Sequence, residues 1–166
     1  MLNDYPYIPE GRKFIYVPIA NFFMAAAKRM ALEGSTDRLW PTGAVIVVSG
    51  KIIGSAANQS ALKSKRLMKF HREVFCVRRF LKIPTGQKYW ICRGCASPRL
   101  HSEPRAIKAA QKAYGDITGA DLYHWGHWWC CKSCWDAMIV AGIKDVYLVE
   151  GAKGQFQRGA GTDSHK

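Results

Sequence analysis

No stretch of the chain approaches the roughly 18 consecutive apolar residues of a membrane-spanning helix, which excludes such a span. The N-terminus lacks the basic-then-apolar order of a secretory signal, and no internal repeat points to a solenoid. Cysteines number only six and form no disulfide-dense framework, so a reducing, cytoplasmic setting is expected. Acidic residues are scarce: 12 Asp and Glu face 25 Lys and Arg, a formal net charge of +13, and a phosphorylated partner is expected. What is present is a 48% hydrophobic composition over 166 residues, enough for one domain with a full core.

Within that frame, His101-Ser102-Glu103 and Cys131-Lys132-Ser133-Cys134 stand at the heads of two expected helices. The first helix runs from Glu103 to Tyr114 through Ala106, Ile107, Ala109, Ala110 and Ala113, and Gly115 stops it. On the second, ending near Gly142, Cys131 and Cys134 lie one turn apart, where a helix N-terminus lowers a thiol's pKa. One imidazole and two thiolates make three zinc ligands and leave a fourth tetrahedral position for water. Glu103 is not a ligand in this reading and serves as proton carrier. A lone H-x-E carries little information, and a lone C-x-x-C fits a redox pair or half a structural zinc site. Their joint occurrence in this order, with strands expected at Asp121 to Trp125 and Val146 to Glu150, reads as a zinc hydrolase site.

These motifs, together with Pro41-Thr42-Gly43-Ala44-Val45-Ile46-Val47, the Ser49-Gly50 turn, Lys51-Ile52-Ile53-Gly54 and Asn58, resemble the cytidine and deoxycytidylate deaminase superfamily over about residues 17 to 150. The stretch from Cys76 to Gly86, followed by Cys92-Arg93, is similar to the insert of deoxycytidylate deaminases. The chain departs from the family with Cys130 where a Pro precedes the first ligand thiol, and with Arg105 where deoxycytidylate enzymes tend to carry Asn. The loop from Tyr123 to Cys131 is about two residues longer than usual, and little chain remains for the family's last helix and strand. The resemblance implies one zinc held by His101, Cys131 and Cys134, with Glu103 as catalytic acid and base. It implies hydrolysis of a cytosine nucleotide such as dCMP to the uracil nucleotide and ammonia, with Asn58 contacting substrate.

The region from Ser60 to Leu100 is an insert that would benefit from a staple. His71, Cys76, Cys92 and Cys95 offer a structural zinc set; equally, Cys76 fits an ordinary buried thiol and His71 a solvated residue. From Lys63 to Lys82 the insert carries Lys63, Lys65, Arg66, Lys69, Arg72, Arg78, Arg79 and Lys82 against Glu73 alone. Such a face guides a mononucleotide phosphate, holds single-stranded nucleic acid, or keeps a solvated helix soluble. Trp125, Trp128 and Trp129, with His124 and His127, precede the ligand cysteines and are placed on the pocket lip, where Trp128 and Trp129 join Asn58 and Arg105 as substrate contacts. The alternative for the indoles is packing beneath the loop or at a subunit contact.

The expected architecture is a three-layer α/β/α fold with a mixed sheet of four or five strands. Its first helix spans Ile19 to Glu33 and turns Ile19, Phe22, Phe23, Ala26, Met30 and Leu32 to one side. Residues 1–150 form the single domain, and the Gly-rich tail 151–166 is expected to be flexible. The alternative enzyme edits a cytosine or adenine base in RNA or single-stranded DNA with the same metal and the same Glu103. A non-enzymatic reading, a silent zinc-bearing nucleic-acid module, gives Glu103 nothing to do. Members of the superfamily often form homo-oligomers, and no membrane partner is expected.

Overall fold

The central hairpin forms as its residues dictate. β2 (Gly43–Val48) and β3 (Lys51–Ala57) pair antiparallel across Ser49 and Gly50, whose φ values of 48° and 74° are the positive pair of a type I′ turn. The other edge of β2 pairs antiparallel with β4 (Asp121–Trp125), and β4 runs parallel to β5 (Val146–Val149). A further strand, β1 (Phe14–Val17), lies parallel to β5 and completes a five-stranded mixed sheet in the order β1-β5-β4-β2-β3. No element is expected from the sequence over Phe14–Val17. These are features of a computed structural model that describes residues 6–37, 40–83 and 87–157. Pro84, Thr85 and Gly86 of the insert, and residues 158–166 of the tail, lie outside the described residues.

Both faces of the sheet are covered, as an apolar run like β2 requires. Val45 and Val47 point toward α1 (Phe22–Gly34) and join Met24, Ala27, Tyr123 and Trp125 in one core. Ala44, Ile46 and Leu122 point the other way, toward α4 (Ser102–Tyr114) and α5 (Lys132–Val140), where Ala106, Ala110, Trp135 and Met138 meet them. The three-layer α/β fold with a mixed sheet is thus present.

The first helix differs from its expected phase. Asn21 caps it by accepting from the backbone N–H groups of Phe23 and Met24 at 3.0 and 3.1 Å, so α1 starts at Phe22 rather than Ile19. Met24, Ala27 and Ala31 are the buried stripe, while Phe22 is 72% exposed. Close approach is the cause. A Cβ on Gly43 would run into the Ala27 carbonyl and stand 2.6 Å from the Ala31 nitrogen, so only small side chains fit between helix and strand.

The insert adds α2 (Lys65–Glu73), the short α3 (Val77–Phe80) and two single 3₁₀ turns, Tyr89–Ile91 and Pro98–Leu100. α2 buries Met68, and Arg72 on it pairs with Asp37 at 2.5 Å, both side chains largely shielded. The segment after Glu150, expected to be loose, begins with a helical turn, α6 (Ala152–Phe156). It is held because Ala152 is buried and the Phe156 ring meets Trp125 edge-on at 5.2 Å. Among the described residues no helix is long and apolar enough to cross a membrane.

Candidate metal centre

Two helix starts converge on the first cluster. His101 is the residue before α4 and Cys131 the residue before α5, both extended at φ −71° and −68°, and Cys134 sits one turn into α5. His101 Nδ1 lies 3.3 Å from Cys134 Sγ and 3.5 Å from Cys131 Sγ, and the two sulfurs are 2.9 Å apart. The N···S separations match the roughly 3.5 Å edge of a tetrahedron with zinc bonds near 2.0 Å to nitrogen and 2.3 Å to sulfur, while the 2.9 Å between the sulfurs is shorter than the roughly 3.8 Å such bonds set. The donor set therefore fits zinc. The Cys131 thiol is lowered to about 5, chiefly by the hydrogen bond it shares with Cys134 and, against the effect of burial, by His101. Cys134 is pushed well above its ordinary value by that same pairing and by burial. One thiolate is therefore ready at neutral pH, and the other loses its proton when a metal binds.

Glu103 stands beside this cluster, 4% exposed, in the first turn of α4. Burial pushes its carboxyl up, but the His124 and His101 imidazoles outweigh that and hold it at about 2, so Glu103 is an anion at neutral pH. Sequence reasoning missed the groups that surround it. Ser102 Oγ donates to Glu103 Oε2 at 3.1 Å, and Thr42 Oγ1 meets Ser102 Oγ at 3.0 Å. His124 Nε2 lies 3.9 Å from Glu103 Oε1, and Cys130, 1% exposed, hydrogen-bonds to the same carboxylate. His124 and Trp125 are therefore not on the lip: they are 2% and 7% exposed. Strand alternation carried the signal, since His124 shares the face of Leu122, which looks toward α4.

Asn58 is 9% exposed and well occupied. Its Oδ1 accepts from Thr42 N and Ser35 Oγ at 2.9 and 2.6 Å, and its Nδ2 donates to the Trp40 carbonyl at 2.7 Å, leaving one N–H. Arg105 reaches the same corner, donating from Nε to the Ala57 carbonyl at 3.1 Å. A polar chain thus runs from Asn58 through Thr42 and Ser102 to Glu103. Trp128 and Trp129 are only half-exposed: Trp129 packs against the α4–α5 core, and Trp128 against the α1 core under the Lys153 ammonium at 5.8 Å.

A second cluster lies in the insert, where His71, Cys76, Cys92 and Cys95 bring four donor atoms together. Cys76 Sγ is 3.9 Å from Cys92 Sγ and 3.6 Å from Cys95 Sγ, and Cys95 Sγ is 3.6 Å from His71 Nε2. These separations bracket the roughly 3.5–3.8 Å edges of a zinc tetrahedron. Gly94 makes the approach possible, because a Cβ there would stand inside the His71 ring. His71 is held below its ordinary pKa by burial and by Arg79, Arg72 and Arg78, which keeps the imidazole neutral as a ligand must be. Burial opposes the Cys92 thiolate, but the N–H groups of Gly94, Val77 and Cys95 aim at its sulfur and lower its pKa.

Residues 19–150 match the cytidine and deoxycytidylate deaminase zinc-binding region. The chain belongs to this family. It is accordingly a zinc-dependent hydrolytic deaminase, and the His101–Cys131–Cys134 cluster suits that ion. Among solved structures similar to this deaminase, the dCMP deaminase from the cyanophage S-TIM5 shares 18% identity, covering 81% of this chain and 86% of that one at a TM-score of 0.46. A tRNA:A34 deaminase shares 23% identity, covering 87% and 92% at 0.47. A diaminohydroxyphosphoribosylaminopyrimidine deaminase/5-amino-6-(5-phosphoribosylamino)uracil reductase from Thermotoga maritima shares 24% identity at 0.45, with 76% of this chain covered; the chain spans 28% of that protein. No curated protein matches the chain.

Proposed function

We propose that this deaminase acts on a cytosine mononucleotide of the dCMP kind, releasing ammonia and the uracil nucleotide, with zinc at His101, Cys131 and Cys134. These three residues would hold zinc, which would lower the pKa of a water molecule and so make it a nucleophile. Glu103 would take one proton from the water and pass it to ring N3 as the oxygen bonds to C4, then pass the second proton of that oxygen to the amine, so that the C4–N bond breaks, ammonia leaves and the oxygen remains as the C4 carbonyl. The observation that carries the hydrolytic step is a buried Glu103 beside three convergent donors and not among them. Arg105 and the remaining N–H of Asn58 bind substrate where β3 ends, with the Arg105 guanidinium offered to its phosphate.

The mononucleotide is favoured because Trp128 and Trp129 are engaged in packing against the two cores, which leaves less aromatic surface free to stack flanking bases. The competing reading, a base editor of RNA or single-stranded DNA, draws on the insert. Phe80 and Trp90 there are 72% and 81% exposed, close in sequence to Arg79, Lys82 and Lys88. Ammonia release across dCMP, dCTP, cytidine, cytosine and a 15-mer oligonucleotide separates them. Turnover of dCMP with modest salt dependence supports the proposal. A 15-mer preferred over dCMP, its affinity falling by orders of magnitude between about 50 and 200 mM salt, contradicts it.

The insert cluster belongs to the same proposal as a structural zinc site, closed by four ligands and so without an open position for catalysis. Two zinc ions per chain are expected, falling to one in Cys92→Ser/Cys95→Ser protein with a lower melting temperature. Unchanged zinc in that variant would make these thiols ordinary core residues.

A further inference from the structure

The two clusters are not independent. Cys95 belongs to the insert cluster, and only five residues of chain separate it from His101, whose Nδ1 faces Cys131 and Cys134. A second connection runs through side chains. Arg78, 9% exposed, donates from Nη1 to Cys95 Sγ at 3.6 Å and from Nε to the Gln87 carbonyl at 2.8 Å. Its guanidinium carbon lies 4.2 Å from the centre of the Tyr89 ring. Tyr89 in turn meets the His101 ring edge-on, at 5.9 Å and 86°.

We infer that the insert cluster sets the orientation of the catalytic ligand His101 through the Arg78–Tyr89 stack, so that metal held by His71, Cys76, Cys92 and Cys95 tightens zinc binding at His101, Cys131 and Cys134. The inference rests on the two-metal reading above. A metal fixes Cys95, and with it the Arg78 guanidinium that holds the Tyr89 ring against His101. Partners of this outer kind change metal affinity by about 10–100-fold. Because the coupling is an equilibrium one, zinc at the catalytic centre tightens the insert site by the same factor. Arg78 and Tyr89 are positioning residues here: neither touches the reacting atoms.

The test uses full-length protein and zinc alone, with affinity read by chelator competition and stoichiometry by metal analysis. Wild type is expected to hold two ions. Cys92→Ser should lose the insert ion and bind the remaining one about 10–100-fold more weakly than wild type binds at its catalytic centre. Tyr89→Leu, which removes no ligand, should weaken the catalytic centre by about tenfold with the insert ion retained, and Tyr89→Phe should restore it. Should Cys92→Ser fail to fold, the Tyr89 pair decides alone. Two ions in wild type with catalytic affinity unchanged in Cys92→Ser, or in Tyr89→Leu, overturns the coupling and leaves the two-metal reading intact. A single ion in wild type overturns that reading and the coupling with it.

Discussion

Gly43→Ala is the sharpest test of how the sheet presents the site. The added Cβ would stand 2.6 Å from Ala31 N, inside the 3.4 Å at which ordinary contact begins, and it would meet the Ala27 carbonyl more closely still. The contacted atoms are helix backbone and cannot rotate away, so α1 and β2 must separate by at least about 0.8 Å, the difference of those two distances, and by more to clear the Ala27 carbonyl. Overpacking of this kind costs about 1–3 kcal/mol. For a chain of this size that is a fall in melting temperature of about 2–12 °C. The strain also reaches the chemistry, because neighbouring Thr42 holds Asn58 Oδ1 at 2.9 Å and Ser102 Oγ at 3.0 Å. A displacement near 1 Å at a positioned group lowers turnover by up to about 100-fold. Thermal unfolding of zinc-saturated protein, with turnover measured on the same samples, gives the answer. Gly154→Ala, where an added Cβ meets nothing, is the control. A Gly43→Ala protein melting within 1 °C of wild type would refute the close approach of α1 to β2.

Two further outcomes are expected. In metal-free protein the Cys131 thiol, lowered to about 5, should give a thiolate absorbance step near that pH, with Cys134 silent until well above 9. Because the folded value lies below the unfolded one, the stability Cys131 contributes is full in alkali and is lost as pH falls from about 9 toward 5; two thiols titrating together near 8.5 would contradict the pairing. Arg72→Ala should cost about 3 kcal/mol and lower the melting temperature by about 6–12 °C, since it strands the shielded Asp37 carboxylate. A change below 2 °C would show the pair to be no better than a surface contact.

Much of this arrangement was legible from residue order. His101, Glu103, Cys131 and Cys134 announce themselves because ligand chemistry tolerates few residue types, and the helices that carry them end at Gly115 and near Gly142, where periodicity stops. The insert's His71, Cys76, Cys92 and Cys95 do meet, helped by Gly94, whose role only the three-dimensional approach of His71 explains. What sequence could not convey was contact at long separation. The phase of α1 depends on Gly43 lying beneath it, and β1 is a four-residue edge strand that pairs in the sheet with β5, far along the chain. His124 was misread as a rim residue because the aromatic run around it outweighed the alternation that buries it beside Glu103.

The central claim is that Glu103 moves protons at a zinc centre it does not itself hold together. It is tested most directly by measuring bound zinc and ammonia release from dCMP on the same preparations of wild type and Glu103→Gln. The expected result is equal zinc in both proteins, ammonia from wild type, and a loss of about 100-fold or more in the variant, the share carried by general acid–base catalysis. A Glu103→Gln protein that keeps its zinc and most of its turnover would contradict the account.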